Sequence, residues 1–286
     1  MKYYRQLKVF IEMNIKFKLR IIASKFIKIF IGPYIYTFIA RTNQGVFAVD
    51  PDDFGVGRRL LTKGSFSEDE LATLKKYINI KSNLLVVGAH IGTIVIPIAK
   101  QCQSVIAIEA NPETYELLKL NIQLNNINNV TTHNIAASDS RQNIEFLFNK
   151  TNSGGSKRTP KIKDWRYYYD KPQTILIKGD RLDDYLEENI FDVILMDIEG
   201  SEYYALKGMQ KILKNSNILF IEFLPHHLKY VSNVKLEEFV ELIKPHFDKL
   251  LIPPQNIKVK KPMFLDTLKK LYDEDIGKDS IIFLKE

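Results

Sequence analysis

The stretch Leu84-Leu85-Val86-Val87-Gly88-Ala89-His90-Ile91-Gly92 decides the fold. Four apolar residues ended by glycine read as a short strand buried on both faces. The glycines let the backbone turn sharply, and Ile94 to Lys100 then reads as a helix. A helix start carries unpaired amides, so the turn between strand and helix can cradle a ligand. A dinucleotide fingerprint needs G-x-G-x-x-G. Here the third position is His90 and the sixth is Thr93, a poor fit to a pyrophosphate.

The same alternation continues outward. Ser104 to Ile108 predicts a second strand, ended by Glu109. Asn111-Pro112 is a helix start, with a capping side chain before a proline in the first turn, and Leu117, Leu120 and Leu124 recur at helical spacing behind it. Val130 to Ile135, Phe191 to Met196 and Ile218 to Phe223 predict three more strands, the last two followed by helices over Ser201 to Leu213 and Leu236 to Ile243. Strands alternating with helices imply an α/β fold whose doubly wound, mostly parallel sheet is covered on both faces. Leu250 to Ile252 and Ser280 to Leu284 complete it as an antiparallel edge pair. Toward the N-terminus, Ser67 to Glu70 has the form of a capping box opening a helix to about Tyr77. The expected organisation is an arm over 1–41, a strand and helix prelude over 42–80, and a ligand-binding domain over 81–286.

Charge separates the arm from the body. Nine basic residues against Glu12 alone give residues 1–41 a net +8, so the other 245 residues carry −1 of the total +7. A basic arm on a slightly acidic body argues against a nucleic-acid partner, which would draw on a basic body. Ile11, Ile15, Leu19, Ile22, Phe26, Ile29 and Phe30 recur at steps of three and four, with lysines outside the stripe. That predicts an amphipathic helix suited to an anionic membrane surface. Lys25, Lys28 and Pro33 interrupt Ile21 to Ala40, so the segment does not read as a transmembrane span. Charges running through the apolar region also differ from an ordinary signal peptide. The lone Cys102 cannot build a disulfide framework.

Three groups of polar residues fall at strand ends, where open α/β sheets hold their ligands. Glu109 is placed to accept hydrogen bonds from ribose hydroxyls. Asp197-Ile198-Glu199-Gly200-Ser201-Glu202 brings acids beside a glycine; Asp197 and Glu199 are read as functional and Glu202 as a helix-start acid favoured by the macrodipole. Glu222-Phe223-Leu224-Pro225-His226-His227 offers a general base. The adjacent histidines do not match H-E-x-x-H, so spacing predicts no zinc site, and any divalent-metal requirement stays open.

Together these residues resemble the FkbM-type methyltransferase family, from about Gly64 to Phe223. The resemblance rests on Val87 to Gly92, Ile108 to Pro112, Ala136-Ala137-Ser138-Asp139, Leu182-Asp183-Asp184, and Met196 to Glu202 with Leu206 and Gly208 behind it. It implies S-adenosylmethionine as cofactor, with Gly88, Ala89, His90 and Gly92 lining its methionine part, Glu109 holding the ribose, and Ala137 and Ser138 near the adenine. It also implies methylation of a hydroxyl on a sugar, glycan or related metabolite, for which Asp197, Glu199 and His226 are the candidate catalytic residues. The family commonly has an Asp where this chain has Val86, which removes an expected contact to the cofactor. Residues 150–171 carry a net +5 with Trp165 and Tyr167 to Tyr169, a composition suited to a phosphorylated or lipid-linked acceptor. The expected setting is cytoplasmic, peripheral on the inner face of the membrane. A nicotinamide-dependent oxidoreductase and a non-catalytic membrane-associated interaction protein are the competing readings.

Overall fold

A computed structural model of the protein describes residues 34–187, 190–254 and 257–286, together with Ile15, Leu19, Ile22 and Gly32. An antiparallel hairpin comes first, β1 (Phe38–Thr42) and β2 (Gly45–Val49). Helices Val56–Lys63 and Glu68–Leu74 follow it. The central sheet then begins with β3 (Asn83–Val87), β4 (Ser104–Glu109) and β5 (Val130–Asn134). The chain leaves to build a second sheet from β6 (Ala136–Ala137), β7 (Gln142–Phe148), β8 (Lys157–Arg158) and β9 (Gln173–Asp180). It returns through β10 (Val193–Met196), β11 (Ile218–Phe223), β12 (Lys249–Ile252), β13 (Ile257–Lys260) and β14 (Lys278–Leu284).

The central sheet runs β13-β12-β14-β11-β10-β3-β4-β5. Strands β11, β10, β3, β4 and β5 are mutually parallel. The crossover helices Val95–Ala99, Pro112–Leu124 and Leu236–Ile243 cover its faces, giving a doubly wound Rossmann-like architecture. Strands β14, β12 and β13 are antiparallel additions, with β14 inserted between β11 and β12. The expected edge pair is therefore present, extended by β13. Apolar strand side chains divide between two cores, one on each face. Leu85, Ile194, Ile221 and Phe283 pack on one side, and Leu84, Val86, Leu195 and Phe220 on the other.

Several local expectations change. Ser67 stands at the N-cap position, but its φ is +50° and its side chain makes no capping bond, so no capping box forms, and Glu70 lines a cavity. The expected single helix over Ser201 to Leu213 is two, Glu202–Gly208 and Gln210–Asn215. Gly208 abuts the Ser138 backbone, and the Asp183 carboxylate accepts the amides of Lys211 and Ile212 at 2.9 and 3.0 Å, which starts the second helix afresh. Strand β1 begins four residues inside the segment read as the arm. Of the amphipathic stripe, only Ile15, Leu19 and Ile22 are described. They are helical and half exposed or more; the rest of the stripe lies outside the described residues. No helix among the described residues is long and apolar enough to cross a membrane.

Candidate functional site

The glycine turn is held by its own strand neighbours. The amides of Gly88 and Ala89 both donate to the Ile108 carbonyl at 2.9 Å, pinning the end of β3 to the end of β4. Gly88 (φ +92°), His90 (φ +52°) and Gly92 (φ +92°) all occupy left-handed backbone. At Gly88 no side chain fits, because a Cβ would overlap the Asp197 carbonyl oxygen of the neighbouring loop. Glycine therefore lets the β3 turn and the β10 loop close on each other.

Glu109 ends β4 beneath this turn. Its Oε2 accepts the His90 amide at 2.7 Å and its Oε1 the Asn111 amide at 2.8 Å. Burial raises its pKa to about 7, against the lowering effect of those amides. A carboxylate has about four acceptor positions, and with the Ala110 amide also acting on it, acceptor capacity remains for a ligand.

Across the same cavity lies the β10 loop. Its volume of about 420 Å³ falls in the range of small-ligand sites, roughly 300–1,000 Å³. Gly88 to His90, Glu109, Asp197 and Glu199 line it together. Asp197 is open to the cavity yet enclosed by protein, and burial followed by the neighbouring Glu199 drives its pKa well above the usual carboxylate range. Glu202 is structural, as its helix-start position predicts. Its Oε1 accepts the amides of Ile198 and Gly200 at 3.1 and 3.2 Å, folding the acidic loop from below.

The cavity has walls that the motifs did not indicate. The prelude supplies Phe54, Arg59 and Glu70, and the loop Asn152 to Ser156 supplies a side. His90 reaches that loop through Nε2, 2.7 Å from Ser153 Oγ, and the Ser153 hydroxyl donates to Asp53 Oδ2 at 2.7 Å. One chain of polar contacts thus ties the glycine turn to the 150s loop and the prelude.

Behind Asp197 lies a buried ionic cluster. Lys157, on β8, donates from Nζ to Glu199 Oε2 at 2.7 Å. It lies 3.5 Å from His227 Nε2 and 5.2 Å from the Tyr167 ring centroid. His227 Nδ1 faces Glu222 Oε2 at 3.6 Å. Lys157 was legible only as one charge in a basic insertion, and His227 only as a neighbour of His226. Of the other insertion cations, Arg158 lies over Tyr204, Arg166 pairs with Asp164, and Lys163 lies over Tyr168.

The remaining sequence candidates fall outside the cavity lining. Ser138 is buried, its Oγ accepting from Arg158 Nη2 at 3.0 Å, and Ala137 is packed in the core. Gly92 packs against Leu118 and Ile96. His226 Nδ1 meets the Tyr167 hydroxyl at 2.8 Å, and burial lowers its pKa to about 4. Val86 is buried in β3.

Among solved structures, the chain is similar to Trm5b from Pyrococcus abyssi, at 18% identity over 78% of this chain and 51% of that one, with a TM-score of 0.42. It is similar to an rRNA methylase from Streptococcus thermophilus at 12% identity, covering 76% and 94% of the two chains, TM-score 0.44. It is similar to M. jannaschii TYW2 in complex with AdoMet at 14% identity, covering 88% and 87%, TM-score 0.41. The chain thus spans about half the length of the Trm5b structure it matches. No curated protein matches the sequence. The sequence profile described as the Methyltransferase FkbM domain matches residues 87–250. That span is more than half of the chain and holds the glycine turn, Glu109 and the acidic loop, so the protein belongs to the FkbM methyltransferase family.

Proposed function

We propose that the protein transfers a methyl group from S-adenosylmethionine to a hydroxyl of a sugar or related small metabolite. The observation that carries this reading is Glu109 and the glycine turn facing Asp197 across one cavity. The residues fit the cofactor: the free acceptor positions of Glu109 suit a ribose diol, and the turn between Gly88 and Gly92 suits a chain lying against backbone. Bound there, the cofactor supplies a methyl group on a sulfonium, already a good leaving group. In-line positioning is then the main demand on the protein, and orientation alone supplies roughly 7–11 kcal/mol in favourable cases.

A hydroxyl acceptor must also lose its proton. Asp197 is the base in this reading, because it lines the cavity and burial, with Glu199 beside it, raises its proton affinity above that of an ordinary carboxylate. Glu199 holds the loop through Lys157 and stands second. His226 stands third, since Tyr167 already engages it. Arg59, 5.6 Å above the Phe66 ring at the cavity wall, favours an acceptor carrying an anionic group such as a phosphate. The net −1 of the body disfavours an RNA acceptor.

Calorimetric titration with S-adenosylmethionine and, in parallel, a nicotinamide dinucleotide tests the assignment. Saturable binding of the former, weakened by roughly 1.5–3 kcal/mol in Glu109→Ala, is the expected result. Binding of the nicotinamide dinucleotide alone would overturn it.

A further inference from the structure

The cluster behind Asp197 contains two polar atoms, facing each other at 3.6 Å, that lie beyond hydrogen-bond distance of any partner. Glu222 Oε2 and His227 Nδ1 are buried and have no hydrogen-bond partner. Their side chains are only 10% and 4% exposed. A buried polar group left without a partner is costly and calls for an explanation. Lys157 does not provide one, because its ammonium serves Glu199 Oε2 and the opposite, Nε2 edge of the His227 ring.

One ligand atom from each of Glu199, Glu222 and His227 lies within 4.8 Å of the other two. Glu199 Oε2 stands 3.5 Å from His227 Nε2 on one edge of the ring and Glu222 Oε2 stands 3.6 Å from Nδ1 on the other, and one ion takes only one of these two nitrogens. Ligand atoms about 2.0–2.2 Å from a common ion lie at most roughly 4.4 Å apart, so three atoms within 4.8 Å of one another close on an ion with a small side-chain adjustment. The set is drawn from three neighbouring segments. Glu199 follows β10, and Glu222 lies near the end of β11, with His227 opening the next turn of helix.

From this geometry we infer that Glu199, Glu222 and His227 form a binding site for one divalent first-row transition-metal ion, next to Asp197 and the cavity. Two carboxylates and one imidazole are a hard and borderline donor set, suited to Mn²⁺ or Zn²⁺ rather than to a soft ion. The local charge favours a cation. Asp197, Glu199, Glu202 and Glu222 all act on one another here, and Lys157 is the cation that offsets them. The flexible Lys157 stem lets its ammonium withdraw from Glu199 when a divalent ion takes that oxygen. Lysine and metal therefore compete for Glu199, and removing the lysine charge strengthens the site.

The test is calorimetric titration of the metal-stripped full chain with Mn²⁺ and separately with Zn²⁺, in the absence of cofactor and acceptor. It therefore reads independently of the methyltransferase reaction. Saturable binding of one ion per chain is expected for either metal. Glu222→Gln and His227→Gln weaken it at least roughly tenfold, since even residues that only orient metal ligands are worth 10–100-fold. Lys157→Met tightens it, and this variant keeps the test informative if a ligand variant fails to fold by circular dichroism. No saturable binding to the wild-type chain would overturn the proposal. So would binding that survives Glu222→Gln unchanged, or binding seen only in Lys157→Met, which would make the lysine the permanent cation of the site.

Discussion

Single residues carry most of the chemistry, and they were unequally legible. Glu109 and Asp197 could be read because each ends an apolar run, and in a parallel sheet the end of a run is where ligands bind. Lys157 could not, since β8 is two residues long and its partner Glu199 is 42 residues away. His226 and His227 were indistinguishable as neighbours; only the turn of the helix aims His227 at Glu222 and His226 at Tyr167. Two expectations follow at this scale. Glu109 has its pKa raised from 4.5 to about 7 by burial. The folded state therefore holds a proton there that the unfolded chain releases. Its contribution to stability is complete below about pH 4.5 and lost as pH rises to about 7, by at most roughly 3 kcal/mol. Melting temperature measured across that window should fall less steeply in Glu109→Gln than in wild type; equal slopes would place the proton elsewhere. For Asp197, the raised pKa means the folded protein bears the cost of its charge. Asp197→Asn should keep or raise the melting temperature while methyl transfer to a true acceptor drops sharply. An active, stable variant would move the base to Glu199.

Elements were legible where their period was clean. Strands β3, β4, β10 and β11 are continuous apolar runs, as two-sided burial requires. The second sheet was not. β9 keeps four of its eight residues exposed and reads as polar, so the strands flanking the basic insertion passed for loop. The helix behind the acidic loop is interrupted by contacts with Ser138 and Asp183, and both partners are remote in sequence. The junction between elements makes its own prediction. Gly64 and Gly88 both have positive φ, yet a Cβ at Gly64 meets nothing within 4 Å, whereas at Gly88 it strikes the Asp197 backbone. Gly64→Ala should cost about 1 kcal/mol from backbone conformation alone. Gly88→Ala should cost several times more and also weaken cofactor binding. Thermal melting of the two variants side by side measures the difference, and similar losses would mean that the two loops can part without penalty.

At the scale of the whole molecule, charge and apolar surface are divided between an arm and a body. Ile15, Leu19 and Ile22 lie at helical spacing and stay half exposed or more. We propose that the arm is a peripheral membrane tether: each basic residue near an anionic surface contributes roughly 1 kcal/mol, and the arm carries a net +8. Because β1 pairs with β2 from Phe38 onward, the fair comparison is the full chain against a truncation beginning at Tyr36. Sedimentation with phosphatidylglycerol liposomes should carry down the full chain, lose it at high salt, and leave the truncation in solution. Equal partitioning would make the arm a packing element. Hydrogen bonds join the prelude to the domain that the sequence reading begins near residue 80. Asn121, on the helix Pro112–Leu124, accepts the Ala48 amide at 2.6 Å and donates to the carbonyls of Ala48 and Ile91. Asn125 repeats the exchange one turn later, accepting from Val46 at 3.0 Å and donating to it at 2.7 Å. Two asparagine side chains thus serve the hairpin as an additional strand would. In hydrogen–deuterium exchange, the amides of Val46 and Ala48 should open in step with that helix, so hairpin and helix would form one cooperative unit that recombination between homologues has to exchange whole.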